Sequence, residues 1–325
     1  MSLRNIFFLF LLMFLGKGYA QTSDSLIVKE LRSEGVSFSK NNTVTLLLTG
    51  QEKFDDLFSA IKQAKSSIHL EYFNFRNDSI ANHLFNLLAD KVKEGVEVRA
   101  LFDAFGNMSN NKPLRKKELD NLRERGIEIY EFDPIRFPWI NHVFARDHRK
   151  IVVIDGSIAY TNGTKVVGEW HDMHCRIEGD EVNTLQKIFI KTWNKVTKQH
   201  LSGAKYYRGD RPNTTFVDLK RPAVNSLNNM MVGIINREPR TSNAIIRKFY
   251  TTAIDVAKDS IQIINPYFTL NRAIKKAIKR AVKRGVKVDI MLSVRSDIPL
   301  TPDCGFYNAH QLMKRGCNIW MYMPG

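Results

Sequence analysis

The sequence predicts an α/β protein built from two copies of one unit, each with a mixed, largely parallel sheet flanked by helices. Two observations predict this class: strand-like and helix-like segments alternate after residue 40, and the same text returns about 190 residues later. Such alternation favours parallel strands with helices packed on the sheet. A repeat this long indicates duplicated domains, because solenoid repeats run to about 20–50 residues.

The elements of the first copy follow from the spacing of its apolar residues. Apolar residues recur at helical spacing in two segments and alternate in the strands between them. The elements are, in order, a strand over 43–48, a helix over 54–61, a strand over 67–73, a helix over 80–92 and a strand over 96–103. Gly95 ends the second helix, at the position where helices most often end with glycine.

The second copy repeats short motifs of the first in the same order. The matched motifs are Ser67-Ile68 with Ser260-Ile261, Tyr72-Phe73 with Tyr267-Phe268, Gly95-Val96 with Gly285-Val286, and Arg125-Gly126 with Arg315-Gly316. Between the copies, residues 201–240 are polar and interrupted by Gly and Pro, which is typical of a linker. We therefore expect a first domain over 21–200, a linker over 201–240 and a second domain over 241–325.

The composition is that of a globular protein with an excess of basic residues. A hydrophobic share of 43% and a charged share of 25% exclude a disordered tail, a collagen and a polytopic membrane protein. The formal net charge of +16 points to anionic partners: nucleic acid, anionic lipid or phosphate-bearing substrates. The 3 cysteines lie late in the chain, and their spacing fits neither a disulfide framework nor a zinc site.

The first twenty residues have the layout of a secretory signal peptide. Arg4 gives a positive start, residues 6–15 are an apolar run, and Gly18-Tyr19-Ala20 offers small residues at the cleavage positions. The apolar run is too short to span a bilayer comfortably. We therefore expect an exported protein, periplasmic or membrane-associated, with an uncleaved membrane anchor as the alternative.

A predicted hairpin carries the residues suited to chemistry. Asp155-Gly156 lies between two β-rich runs and predicts a two-residue turn. That turn pairs His148 with Gly163 and Lys150 with Thr161, and it places position 165 opposite Arg146, on the same face. His148 and Lys150 are two residues apart, so their side chains leave the same face of the strand. Asp155 lies roughly 23 Å from His148 along an extended strand, so we expect it to hold the turn or an adjoining backbone segment.

This arrangement suits a phosphate ester. A lysine ammonium neutralises phosphoryl oxygens, while an imidazole attacks phosphorus or protonates the leaving oxygen. A glycine on the same surface allows the substrate to approach the backbone closely. Glu71 and Asp103 lie at strand ends where open α/β sheets place their sites. Each is expected either to steady His148 or Lys150 or to be a structural carboxylate.

The motif His148-x-Lys150-x4-Asp155, followed by Asn162-Gly163, resembles the HKD signature of the phospholipase D superfamily. The longer run over 147–156 resembles bacterial cardiolipin synthases. Further segments that resemble this family are 68–73, 95–99, 171–179 and 266–268. The resemblance implies two phospholipase D-like domains and metal-independent phosphodiester chemistry that needs no cofactor. One motif histidine would form a phosphohistidine, and the histidine of the other motif would protonate the leaving alcohol.

The resemblance also implies roles for individual residues. His148, Lys150 and Asp155 are the expected catalytic residues. The expected substrate-binding residues are Asn162, Gly163, Lys165 and Glu71. The family usually has Gly at the position of Asn162 and Asn at that of Lys165. Lys165 therefore either adds a phosphate contact or crowds the site.

A second departure from the family pattern lies at the end of the chain. The second copy reaches Pro324-Gly325 just where its own HKD motif should begin. We expect a second H-x-K-x4-D motif within about fifteen residues of Gly325, by the period of the repeat. The alternative source of the second half-site is a second chain.

Three functions fit these observations. The first is a cardiolipin synthase-like phosphatidyltransferase or phospholipase D, with an anionic phospholipid as substrate at a peripheral membrane surface. The second is an exported, metal-independent nuclease or phosphodiesterase, which the basic charge favours. The third is a catalytically silent protein that binds anionic lipid, suggested by Lys165 and the second motif not yet seen.

Overall fold

A computed structural model describes residues 22–134, 145–161, 173–209, 226–238, 244–296, 298 and 300–323. The chain divides into two compact units, one of Ser37–Ser242 and the other of Met1–Val36 with Asn243–Gly325. These limits differ from the sequence-based boundaries, since residues up to Val36 group with the second copy. The predicted leader over 1–20 lies outside the described residues, and so do Asn162, Gly163 and Lys165.

Helices and strands alternate along the described chain, as the apolar pattern predicts. The elements are α1 Ser23–Ser33, β1 Phe38–Leu47, α2 Gly50–Gln63, β2 Ser67–Tyr72, α3 Ser79–Lys93, β3 Glu97–Asp103, α4 Ala104–Met108, α5 Lys116–Glu124, β4 Glu128–Phe132, β5 Ile151–Ile154, β6 Ile158–Thr161, β7 His174–Glu178, α6 Val182–Thr197, β8 Ser226–Gly233, α7 Ile245–Val256, β9 Ser260–Ile264, α8 Arg272–Lys283, β10 Lys287–Ser293, α9 Thr301–Met313 and β11 Asn318–Tyr322. Strand β8 lies within the segment that the sequence predicts as a linker.

Each unit contains one sheet. The larger unit has an eight-stranded sheet in the order β4-β3-β2-β5-β6-β7-β1-β8. In it β2, β3 and β4 pair in parallel, and β5 joins β2 in antiparallel fashion together with the hairpin strands. The second unit has a three-stranded parallel sheet in the order β11-β10-β9. The predicted α/β class, with sheets flanked by helices, is confirmed. Among the described strands, the larger sheet is mixed, with two parallel and five antiparallel pairings, and the smaller sheet is parallel.

Helices cover both faces of the larger sheet. One core cluster joins alternate residues of β2, such as Ile68 and Leu70, to apolar residues of α2, α3 and α5. On the opposite face, Ile151 and Val153 of β5 pack against Leu185 of α6. Strand β2 is buried along its whole length. Its polar side chains therefore need partners inside the protein.

The two units share one arrangement of strands and helices. The order β2-α3-β3-α5-β4 recurs as β9-α8-β10-α9-β11, and Ser67 pairs with Glu97 just as Ser260 pairs with Lys287. Asp78 caps α3 and Asn271 caps α8. This register makes Phe268 the structural counterpart of Phe75. The sequence alignment of Tyr72-Phe73 with Tyr267-Phe268 is therefore shifted by two residues from the structural one. In the part of the chain described, no helix is long and apolar enough to cross a bilayer.

Candidate active site

The hairpin that carries His148 forms at the predicted turn, but with a shifted register. Asp155 and Gly156 both have positive φ, at 52° and 62°, and the Ser157 N–H donates to the Ile154 carbonyl at 3.0 Å. Ser157 is then an extra residue, because the ladder pairs Ile154 with Ile158 and Ile151 with Thr161. A single extra residue moves every later pair by one position.

One pair expected from the sequence is therefore wrong. Thr161 lies opposite Ile151 rather than Lys150. The expected pair of His148 with Gly163 depended on the register predicted from the sequence. The expected place of Lys165 opposite Arg146 rested on the same register. Gly163 and Lys165 themselves lie outside the described residues.

His148 and Lys150 lie together in front of Phe73. The Lys150 Nζ atom lies 2.7 Å from His148 Nδ1 and donates to the His148 carbonyl, also at 2.7 Å. The His148 ring packs on the Phe73 ring with 4.4 Å between centroids. Because an ammonium group only donates, Nδ1 accepts and the imidazole is neutral in this contact. Partial burial, and then the charge of Lys150, lower the pKa of His148 below its usual 6.5.

The neighbours of His148 point to the other side of the segment. Asp147 Oδ1 accepts from Arg149 Nε at 2.8 Å, and Arg149 Nη2 donates to Thr192 Oγ1 of α6 at 3.0 Å. Glu71, at the end of β2, forms an ion pair with Arg149 at 2.9 Å. Glu71 is buried, with 1% of its surface exposed. The structure thus places this expected substrate-binding residue behind His148, away from Lys150.

A second carboxylate anchors the backbone just before His148. Asp103 Oδ2 accepts the Asp147 N–H at 2.8 Å, and Asp103 Oδ1 accepts the Gly106 N–H at 2.9 Å. Arg146 donates to the Asp133 carbonyl at 2.8 Å and lies 3.5 Å from Asp103. Side chains from the ends of β2, β3 and β4 thus hold both flanks of His148.

Asp155 is remote from this surface. Its carboxylate accepts the backbone N–H groups of Lys65, Ser66 and Ser67 at 2.8, 2.8 and 2.9 Å. It also accepts the Ser66 hydroxyl at 2.9 Å. Asp155 therefore fastens the turn to the start of β2, the contact expected from strand length. Of the three motif residues, the structure brings together His148 and Lys150 only.

The sequence did not single out Phe73, Asp147 or Arg149. Alternation along the strand was the available signal, because it sends Asp147 and Arg149 to the face opposite His148. Their partners are 40 or more residues away in sequence, so no local spacing reveals them. Among the described residues, no group of three or more His, Cys, Asp or Glu side chains is arranged to hold a metal ion.

The chain is similar to known families over most of its length. Residues 57–193 and 250–325 match the family described as "Cardiolipin synthase, PLD-like domain". The chain is 34% identical over 306 residues to "Cardiolipin synthase 2" of Staphylococcus epidermidis, covering 91% of this chain and 59% of the relative. It is 35% identical over 307 residues to "Cardiolipin synthase" of Staphylococcus aureus, with the same coverage of 91% and 59%. The chain thus spans about 59% of the length of these curated relatives.

A solved structure shares the fold. The phosphatidylserine synthase of Haemophilus influenzae superposes with a TM-score of 0.62 at 13% identity, covering 91% of this chain and 78% of that one. At this identity the likeness concerns the fold alone.

The sequence predicts an exported protein, periplasmic or membrane-associated, and the prediction of export is wrong. The similarity over 91% of the chain is to cardiolipin synthases, which are membrane-bound enzymes. The expectation rested on one short apolar segment, whereas the similarity extends over 91% of the chain.

Proposed function

The chain belongs to the phospholipase D-like family that includes the cardiolipin synthases, and from that premise we propose that it takes part in phosphatidyl transfer on anionic phospholipids. One observation carries the proposal: a neutral His148 imidazole lies 2.7 Å from the Lys150 ammonium on one strand face. A neutral imidazole can act as a nucleophile, and an ammonium beside it can neutralise the oxygens of a phosphodiester.

The proposed reaction has two displacements at phosphorus. When the substrate binds, the Lys150 ammonium turns from His148 Nδ1 to a phosphoryl oxygen and frees the imidazole lone pair. His148 then attacks the phosphodiester, a nitrogen–phosphorus bond forms, and the bond to the first alcohol breaks. That alcohol leaves with a proton from a second imidazole acting as general acid. The hydroxyl of a second lipid then attacks the phosphohistidine and loses its proton to the same second imidazole. His148 is regenerated, and phosphatidyl has moved from one alcohol to another.

The second imidazole is part of the proposal. We infer that it comes from the second motif of a longer protein or from His148 of a second chain across a two-fold axis. General acid help of this kind contributes about 10²–10⁴ in rate. Sedimentation combined with the assay below separates the two sources, because the second requires a dimer for turnover.

The test uses vesicles of phosphatidylglycerol with a chelator present. We expect release of glycerol and formation of a doubly phosphatidylated product. His148→Ala should abolish both while the protein stays folded, since no other described group on that face can replace the nucleophile. His83→Ala, a surface histidine of the same unit, is the matched control and should keep the wild-type rate. Undiminished turnover by His148→Ala would contradict the proposal.

One other function has support from a single observation, and the assays also test a third. The net charge of +16 favours a nucleic-acid phosphodiester as substrate, and nicking of plasmid DNA in the presence of a chelator would support that function. Binding of anionic vesicles without any turnover would indicate a silent relative. The same preparations of wild type and His148→Ala serve all three assays.

A further inference from the structure

Carboxyl groups outnumber guanidinium groups around the segment that carries His148. Four carboxyl groups face two guanidinium groups there. The acids are Glu71, Asp103, Asp133 and Asp147, and the bases are Arg146 and Arg149. Glu71, Asp103 and Asp147 are at most 2% exposed, so water cannot compensate their charges. Buried charges must be paired or neutralised, and an excess of acids indicates that at least one carries a proton.

The contacts of Arg149 identify the acid that lacks a donor. Arg149 Nε lies 2.8 Å from Asp147 Oδ1 and 2.9 Å from Glu71 Oε1, but its N–H donates to Asp147. Arg149 Nη2 donates to Asp147 Oδ2 and to Thr192 Oγ1, both at 3.0 Å. Within the described residues, neither carboxyl oxygen of Glu71 accepts a hydrogen bond from an N–H or O–H group.

The two carboxyl groups are close enough to share a proton. Oxygens of both lie within 2.9 Å of one nitrogen atom, and Asp147 is within hydrogen-bond reach of Glu71. Two carboxylates this close in a dry site repel each other, and one of them takes up a proton. A proton on Glu71 supplies the missing donor and gives Asp147 a further hydrogen bond.

We propose that Glu71 is a protonated positioning residue: Glu71 and Asp147 share one negative charge against Arg149, and this buried group fixes the backbone that carries His148 and Lys150. The catalytic part of this inference rests on the proposed function, whereas the proton on Glu71 does not.

The electrostatic surroundings agree with this assignment. Burial, and then the charge of Asp147, raise the pKa of Glu71 well above its usual range. Burial opposes ionisation of Asp147 as well, but its hydrogen bonds from Arg149 and Glu71 hold its pKa below the usual value. The charged and titratable groups near this pair come from several neighbouring elements. They include Asp103 of β3, Asp133 after β4, Arg146, His148 and Arg149 before β5, Lys191 and Lys195 of α6, and Glu238 after β8.

The same unit contains a matched control in which an arginine lies between two carboxyl groups that are partly exposed rather than buried. Arg99 of β3 also lies between two carboxylates, with Glu97 at 2.7 Å and Glu128 at 3.1 Å. Both of these acids are about one-third exposed. Hydrogen bonds from Lys205, Tyr206 and Arg99 outweigh the partial burial and lower the pKa of Glu97 to about 2. Here Glu97 stays charged. Glu97 and Glu128 lie at the starts of β3 and β4, at the opposite end of the strands from Asp103 and Asp133.

The test is a double-mutant cycle on the full chain with Glu71→Gln, Asp147→Asn and the double variant. Each single amide leaves one carboxylate for Arg149, so we expect each to lower turnover by less than about tenfold. The double variant leaves Arg149 buried without a charge partner, and we expect a loss above about 100-fold. Glu97→Gln, Glu128→Gln and their double variant should leave turnover at the wild-type level. Single variants as damaging as the double would overturn the inference.

Infrared spectroscopy detects the proton without relying on activity. At neutral pH the wild type should show the stretch of a protonated carboxyl group. Glu71→Gln removes that group, and Asp147→Asn lets Glu71 ionise, so both should lose the band, whereas Glu97→Gln should keep it. The absence of the band from the wild type, or its persistence in Glu71→Gln, would overturn the inference even if the double variant failed to fold.

Titration of His148 by NMR separates this inference from the proposed function. Loss of the buried pair should change the pKa of the His148 imidazole in the double variant, and the Arg99 control variants should not change it. A wild type without phosphodiester activity would contradict the proposed function. The infrared band and the His148 titration would still decide the role of Glu71, because neither depends on activity. An unchanged His148 titration in the folded double variant would rule out positioning.

Discussion

Burial gives two histidines of the larger unit different properties. His148 lies at the surface beside Lys150, whereas His69 of β2 is fully buried. The His69 ring stacks on Phe189 with 4.6 Å between centroids, and its Nδ1 accepts from the Gln186 amide at 2.8 Å. Burial is the main reason that the pKa of His69 falls to about 3. A neutral imidazole is therefore part of the packing between β2 and α6.

His69 makes the stability of this unit depend on pH. An unfolded histidine titrates near its usual 6.5 and the folded one at about 3, so the unfolded state binds more protons between these values. The stabilisation is complete above pH 6.5 and declines as the pH falls towards 3, by up to about 1.4 kcal/mol per pH unit. We expect His69→Gln to flatten this slope in urea unfolding measured at pH 7 and pH 5. Parallel slopes for variant and wild type would contradict this account.

The residues of the site differ in how far sequence could reveal them. His148 and Lys150 were predictable because the motif and strand alternation place them together. The contact of Asp155 with the start of β2 agreed with an argument from strand length alone. The position of Glu71 behind His148 was not predictable, because it depends on the pairing of β2 with β5 and on Arg149 reaching across.

At the scale of elements, the turn shows what an apolar pattern leaves undetermined. The two β-rich runs and Asp155-Gly156 predicted a hairpin, and the hairpin forms. Apolar residues occupy both faces of β5 and β6. The apolar pattern is therefore satisfied equally well whether Ser157 pairs in the ladder or is an extra residue in the turn. Register then depends on packing around the turn, which the sequence does not display.

Gly156 gives a prediction at this scale, with Gly95 as its control. A Cβ atom on Gly156 would lie 2.5 Å from the Tyr206 carbonyl oxygen, whereas one on Gly95 would meet nothing within 4 Å. Both residues have positive φ, at 62° and 88°. We expect Gly95→Ala to cost about 1 kcal/mol of unfolding free energy, and Gly156→Ala about 3 kcal/mol because of the added clash. Equal losses in urea unfolding would show that Tyr206 moves aside.

At the scale of the whole molecule, net charge governs encounters with anionic surfaces. The chain carries 49 Lys and Arg against 33 Asp and Glu, and part of the excess lies on α8, where several Lys and Arg side chains face solvent. Attraction of this kind is sequence-independent and weakens as salt shortens the range of the field. It brings a phosphate-bearing substrate to the protein and leaves its orientation to the site.

Salt should therefore control binding to vesicles. Between about 50 and about 500 mM NaCl, we expect the affinity for phosphatidylglycerol vesicles to fall by more than about tenfold. Flotation or tryptophan fluorescence measures this, with uncharged phosphatidylcholine vesicles as the control. His148→Ala should bind like the wild type, since it removes no permanent charge. Binding that salt does not alter would show that apolar contacts dominate.

The duplicated strand order also creates a hazard while the chain folds. Strands β2 and β9 pair with β3 and β10 in the same register, so each could mispair with the partner of the other. Mispairing of β2 with β10 would separate Glu71 from Arg149 and His69 from Gln186, leaving buried polar groups without partners at several kcal/mol each. At the position equivalent to Glu71, strand β9 has Ile264, whose side chain has no acceptor or charge to pair with Arg149. The buried polar residues thus distinguish two otherwise equivalent strands and oppose exchange between the copies during folding.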